Sequence, residues 1–389
     1  MKNEHAAKVL QAVRDLAPAI NARSAEIDAA RRLPPDLLGE LKAAGCFRMF
    51  LPRSHGGHEV DMRTGMEVLE ALARADGATG WTVMIGSESP HLFALLSRER
   101  FDAVYAAGPD VIIGGGFNAQ GEAHEAEGGY RVTGRWSFAS GCEHASYLFG
   151  NCVLMDGGRP RINAATGAPE MRGMLFPASE VRVLDTWSVL GLRGTGSHDI
   201  AVEGAFCPAE SSFDIFNGRS TVPIPGFVAP VLHFVLHMGA VGVGIAQGAL
   251  DDMVTLARSG KKRLYARAEL ADSPLFQVHL GRAEMNVRAA RALLRETGDE
   301  LWATCVNDPA AAAALAPRIS GALAWATEAA VRTVDACYQA AGGGAARDVS
   351  PMQRRFRDIH TFSQHAAAAE GWFGQTGASL LGHATGFWT

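Results

Sequence analysis

From Ser220 to Leu250 the chain carries no Asp, Glu, Lys or Arg. An uncharged run of this length either crosses a bilayer or forms a helix surrounded by protein on all sides. The stretch VLHFVLHMGAVGVGIAQGAL holds His233, His237 and Gln247, is rich in Gly and Ala, and has no basic flank immediately after it. Those features favour a helix buried in a bundle, where small residues allow close packing, and no membrane association is expected.

The texture on either side defines three regions. Residues 1–108 read as a helical domain: LPPDLLGELKAAGCF opens with prolines suited to a first turn, and MRTGMEVLEALARADG repeats apolar residues every three or four positions before a Gly stop. Residues 109–218 read as a β domain, because VIIGGGF, GGYRVTGRWSF, SYLFGNCVLM, RGMLFPA, VRVLD and DIAVEGAFCP are short β-prone runs separated by turn residues. Residues 219–389 return to helices such as HLGRAEMNVRAARALLRET. The Ala run from Ala310 reads as a helix start after a turn, and GGGAAR at 342–347 as a loop. Helices, then strands, then helices predict an α+β fold with segregated units and not an alternating βαβ sheet.

With 48% hydrophobic residues in 389, the chain can bury a large core. Its formal net charge of -5 and scattered cations supply no basic stripe, so no nucleic-acid partner is expected. Cys46, Cys142, Cys152, Cys207, Cys305 and Cys337 show neither metal-ligand nor redox spacing, which suits reduced thiols and predicts no metal. The start, MKNEHAAKVLQAVRDL, lacks the order of a signal peptide, so a cytoplasmic location is expected.

Two polar, glycine-spaced phrases remain: WSFASG at 136–141 and GLRGTGSHD at 191–199. An uncharged Ser/Trp/Gly surface suits a planar heterocycle such as a flavin, with an aromatic wall for the ring face and hydroxyls and N–H groups for its edge. The same residues also read as a core Trp beside an exposed strand face, and composition does not separate the two.

A resemblance does. GATGWTVMIGSESPH at 77–91, GGYRVTGRWSFASGCEHA at 128–145, DTWSVLGLRGTGSHD at 185–199 and RRFRDIHTFSQH at 354–365 together resemble the acyl-CoA dehydrogenase superfamily over nearly the whole chain. They are most similar to its branch of two-component flavin-dependent monooxygenases, the group of 4-hydroxyphenylacetate and hydroxylated-steroid hydroxylases. The resemblance implies an N-terminal helical domain, a middle β-barrel or sandwich and a C-terminal four-helix bundle, assembled as a homotetramer. It also implies reduced FMN or FAD from a separate NAD(P)H:flavin reductase, O2 as co-substrate, and oxygen transfer from a C4a-(hydro)peroxyflavin to a small aromatic substrate. No G-x-G-x-x-G in a βαβ unit is present to bind NAD(P)H directly.

By the same resemblance, Ser140 contacts the flavin near N5, His365 lies by the ring and oxygen site, and His91 meets a phenolic substrate as hydrogen-bond partner or base. Trp136 and Phe138 line the flavin, and Asn118 sits where backbone passes over its ring. Arg263 or Arg267, in KKRLYAR, reaches the cofactor phosphates, although the usual Arg-x-x-Phe-Gly phrase is replaced by RAELADSP. Each has a plainer alternative: core packing for Trp136 and Phe138, backbone satisfaction for Ser140 and His91, solvated charge for the arginines. His360, five residues before His365, turns to another helix face and carries no assignment.

The dehydrogenases of this superfamily place a catalytic Glu in a YEGT-like phrase near the C-terminus. This chain has RDIHTFSQHAAAAEG there, with Glu370 in a different phrase, so oxygenation is expected over desaturation. The rivals are an FAD-bound acyl-CoA dehydrogenase, an amine N-oxygenase, and a flavin-free binding protein that kept the fold.

Overall fold

The structure is a computed structural model and describes residues 4–164, 166–262 and 267–385. Among the described residues seven α-helices come first: α1 (Glu4–Ala22), α2 (Ser24–Ala30), α3 (Pro35–Ala43), α4 (Met62–Ala75), α5 (Gly77–Ser87), α6 (Ser89–Phe93) and α7 (Arg98–Tyr105). The strands follow: β1 (Ile113–Ala126), β2 (Gly129–Ala139), β3 (Tyr147–Asp156), β4 (Arg159–Pro160), β5 (Met171–Pro177), β6 (Arg182–Leu184), β7 (His198–Pro208) and β8 (Ser212–Phe213). The described α-helices after the strands are α8 (Pro230–Arg258), α9 (Pro274–Asn307), α10 (Ala316–Ala341), α11 (Pro351–Phe362) and α12 (Trp372–Leu380).

Pro35 opens α3 at its first turn, where a missing N–H costs nothing. At the end of α4 it is Asp76, not the following Gly, that turns the chain. Its carboxylate accepts from the Thr79 N–H and hydroxyl and so starts α5 at once. The Ala run is a 3-10 turn over Pro309–Leu315 leading into α10, and the glycines after α10 form another over Gly342–Ala346.

The strands form one continuous sheet in the order β6-β7-β2-β1-β3-β5-β8, with β4 paired to β3. The expected barrel or sandwich thus takes the form of a single mixed sheet, antiparallel except where β1 runs parallel to β3. Trp136 on β2 is its centrepiece, 1% exposed. A Cβ on Gly116, Gly121, Gly134 or Gly150 would stand 2.2 to 2.6 Å from the Trp136 side chain. Four glycines on three strands therefore make the slot that holds one indole, whose N–H donates to the Asn151 carbonyl at 2.7 Å.

The first and last helical blocks share one apolar core, which runs from Val13 and Leu69 to Leu236, Leu294 and Leu323. α8 is the one described helix long and apolar enough to cross a membrane, and 83% of that window is buried inside the fold. Its glycines explain the close packing: a Cβ on Gly244 would lie 2.5 Å from the Glu70 carbonyl on α4. α8, α9, α10 and α11 form the C-terminal bundle. Buried Arg355 on α11 ties it down, donating to the Ala73 and Ala75 carbonyls at the end of α4 and to Asp252 on α8.

Candidate active site

α5, the end of β2, the loop before β7 and the segment after α11 converge on a run of hydroxyls. The Trp81 indole N–H on α5 donates to Ser140 Oγ at 3.0 Å. Ser140 Oγ lies 2.7 Å from Ser197 Oγ, and Ser197 Oγ lies 2.7 Å from Thr195 Oγ1. Thr195 Oγ1 donates to the Leu192 carbonyl at 2.8 Å. Each hydroxyl has one proton to give, so the two ends fix the direction: Trp81 to Ser140 to Ser197 to Thr195 to Leu192. Ser140 therefore spends its proton on Ser197 and keeps lone-pair capacity for a further donor.

The loop that ends this relay is clamped by α11. The Leu192 N–H donates to Asp358 Oδ1 at 2.6 Å, the Gly191 N–H to Thr361 Oγ1 at 2.9 Å, and Arg357 to the Leu190 carbonyl at 2.8 Å. Leu192 itself sits at φ +51, a strained conformation for a branched residue that this clamp maintains. Burial, with Asp76 nearby, pushes the Asp358 carboxyl up to about 7.

His365 falls just beyond α11, off the helix on which its spacing suggested it would lie. Its Nδ1 accepts from the Ala367 N–H at 3.2 Å, so the proton of the neutral ring resides on Nε2. Burial pushes its pKa down to about 4. The ring stands 5.5 Å from Trp81 and 6.1 Å from Phe234 on α8, and Phe234 is 5.8 Å from Phe117 on β1. His360 does face elsewhere and bonds Asp335 at 2.9 Å.

The other expected residues separate. Phe138 is 66% exposed at φ +66, edge-on to Trp187 at 6.1 Å. An exposed aromatic held in the left-handed region of backbone space has no folding rationale of its own. Trp136 is a correction: its indole is enclosed by the glycine slot and offers no open wall to a ligand. Asn118 is exposed at the register shift of β1. Arg267 is exposed, and Arg263 lies outside the described residues.

His91, on α6, is buried and belongs to a second cluster. Its Nδ1 lies 2.9 Å from Glu88 Oε2, while His237 Nδ1 bonds Glu88 Oε1 at 2.6 Å. Burial alone would raise the Glu88 pKa, but the His91 and His237 rings outweigh it and hold the carboxyl below its ordinary value. With His233 these side chains border a cavity of about 100 Å³ that Phe50, Ile224 and Trp302 also line. Among the described residues no group of His, Cys, Asp or Glu has the arrangement of a metal site.

A flavin fits the first cluster on four observations. Phe138 presents an open ring face, Ser140 has spare acceptor capacity, and the Thr82 hydroxyl and Arg193 Nε are buried without a protein partner beside it. Sequence reasoning missed Trp81, Ser197 and Thr195, although all three lie in the phrases that carried the resemblance. It also passed over Glu88, His233 and His237, the last two having been weighed only as evidence against a membrane span.

The acyl-CoA dehydrogenase N-terminal domain family matches residues 3–95 and the acyl-CoA dehydrogenase C-terminal domain family matches residues 236–370. The chain is 31% identical to the flavin-dependent monooxygenase oxygenase subunit HsaA of Rhodococcus jostii, covering 92% of this chain and 94% of that protein. It is 29% identical to indole-3-acetate monooxygenase of Pseudomonas putida, covering 96% and 92%. The solved structure of XiaF from Streptomyces sp. in complex with FADH2 and glycerol superposes with a TM-score of 0.89 at 25% identity, covering 97% of this chain and 96% of that one.

Proposed function

The chain belongs to the acyl-CoA dehydrogenase family, and on that premise we propose that it is the oxygenase component of a two-component flavin-dependent monooxygenase. Its substrate is a small aromatic or heteroaromatic compound, and a separate NAD(P)H:flavin reductase supplies reduced FMN or FAD. The observation that carries this reading is the hydroxyl relay ending at Ser140, with His365 and the open Phe138 ring at the same cluster of elements.

Bound reduced flavin supplies the electrons that activate O2. The residues of this chain then have separable tasks. Ser140 accepts a hydrogen bond from the ring edge, and the relay behind it fixes the direction of its own proton. His365, neutral above about pH 4, offers a hydrogen bond from its Nε2–H to an anionic oxygen and keeps that proton. Trp81, Phe117 and Phe234 keep water from the space between them. His91 meets the substrate from the second cluster.

Desaturation of an acyl thioester is disfavoured because it requires a buried base, and Glu370 is exposed. Self-association into a homotetramer is supported by the exposed Leu275, Val278 and Met285 on α9. A cytoplasmic setting is supported by six unpaired, buried cysteines. The test is incubation with a flavin reductase, NADH, 18O2 and a panel of phenols and indoles. Incorporation of one labelled oxygen atom per product supports the proposal. Turnover of an acyl thioester with a dye acceptor and no O2 overturns it.

A further inference from the structure

His91, His233 and His237 face one another with ring centroids 5.6, 6.1 and 6.3 Å apart. His233 and His237 have their Nδ1 atoms committed to acceptors, whereas His91 Nδ1 approaches Glu88 without forming a hydrogen bond. His237 Nδ1 and His91 Nδ1 meet the two oxygens of Glu88, and His233 Nδ1 donates to the Ala229 carbonyl at 2.9 Å. A carboxylate and a carbonyl only accept, so in the neutral rings of His237 and His233 the proton is drawn to Nδ1 and Nε2 is left as a bare lone pair. The Nε2 atoms of His233 and His237 are fully buried and have no partner in the protein. Such atoms are costly to leave unpaired and point to a ligand that satisfies them.

We propose that this cavity is a subsite that reads hydrogen-bond donors: an uncharged, single-ring arene carrying two hydroxyl or amino groups is held by His233 and His237, with Glu88 the positioning residue that makes His237 an acceptor and the Ala229 carbonyl doing the same for His233. The inference rests on the oxygenase reading for the ligand's fate, but not for its binding. The cavity of about 100 Å³ is on the scale of those that enclose one benzene ring. Phe50 supplies an aromatic wall, stacked 4.5 Å from His237 and edge-on 5.0 Å from His91. Among the described residues no Lys or Arg lines the cavity, whereas Glu59 does. An arylacetate, which brings a carboxylate and no compensating donor, would meet two lone pairs and the Glu88 charge. Continuity with the first cluster comes from α8, where His233 faces this cavity and the next residue, Phe234, faces His365.

The test is calorimetric titration of flavin-free protein with resorcinol, with its dimethyl ether and with phenylacetate. Resorcinol should bind more tightly than the ether by on the order of tenfold per hydroxyl, with phenylacetate weakest. Equal affinities for diol and ether, or preference for phenylacetate, would overturn the inference. Glu88→Gln supplies a second signature, because a Gln amide nitrogen facing His237 donates to Nδ1 and moves that ring's proton to Nε2. The variant should lose resorcinol affinity and gain affinity for the ether. A uniform loss for all three ligands would contradict the positioning role. Because these readouts use no flavin, a failed oxygenase assay with a retained diol preference would fault the reaction and not this subsite.

Discussion

The Trp81 indole N–H donates to Ser140 Oγ across 3.0 Å, joining α5 to the end of β2. The relay's polarity is set at its far end, where the Leu192 carbonyl can only accept, and Trp81, which can only donate, closes the near end in the same sense.

Removing the relay's middle separates positioning from contact. Ser197→Ala leaves Ser140 in place but takes away the acceptor of its proton, freeing that proton to point toward the flavin. We expect a loss of about 1–2 kcal/mol in stability by urea unfolding and a shift in the pH dependence of turnover. Ser140→Ala should cost similar stability and, in addition, weaken reduced-flavin binding. A Ser197→Ala variant with an unchanged pH profile would show that the relay has no influence on Ser140.

The glycine slot predicts that Trp136 acts through folding. Gly150→Ala would set a Cβ 2.2 Å from the indole and should destabilise by about 1–3 kcal/mol. Trp136→Phe should destabilise too, through the orphaned Asn151 carbonyl and lost volume, while the folded fraction binds flavin normally. Flavin titration at a temperature well below each variant's Tm checks this.

Asp358 gives stability a pH dependence of defined sign. Its carboxyl rises from an ordinary 3.8 to about 7, so between those values the folded chain holds a proton that the unfolded chain has lost. Stability from this group therefore falls as pH rises from about 4 to about 7, and is level above that. Asp358→Asn keeps an acceptor for the Leu192 N–H and cannot ionise. It should match the parent near pH 4 and exceed it by on the order of 2–4 kcal/mol at pH 8. Thermal melts across this range would read the effect, and parallel curves for both proteins would refute the assignment.

His365 works in the opposite direction. Its pKa falls from 6.5 to about 4, so between those values the unfolded chain binds a proton that the folded chain refuses. Stability from this group thus rises as pH climbs from about 4 to about 6.5. His365→Gln should flatten that part of the flavin-free protein's stability curve relative to the parent. An unaltered slope would mean that the ring is more hydrated than its place between Trp81 and Phe234 implies.

Much of the fold is legible because periodicity is local. The 3.6-residue spacing of α4 and the short β-prone runs from Ile113 to Phe213 can be read without knowing what they pack against. Ser140 and His365 are singled out by the phrases around them, and the structure brings both against Trp81. Trp136 was not, because its glycine partners lie on three strands whose register no local pattern reveals. The Glu88–His237 pair is likewise hidden, its members standing 149 residues apart and meeting only once α8 is inserted into the core. The expectation of a Gly stop after α4 failed for a related reason: Asp76 serves two helices at once, and its bonds to Thr79 outweigh the freedom of Gly77.

The measurement that tests the oxygenase account most directly is anaerobic mixing of the purified protein with FMNH2 and, separately, FADH2, followed by an oxygen pulse watched by absorbance. The account predicts an oxygen-dependent transient, distinct from oxidised flavin, that outlives free-flavin reoxidation and is shortened in Ser140→Ala. Immediate reoxidation with no transient, in a protein that already carries tightly bound yellow FAD when purified, would contradict it.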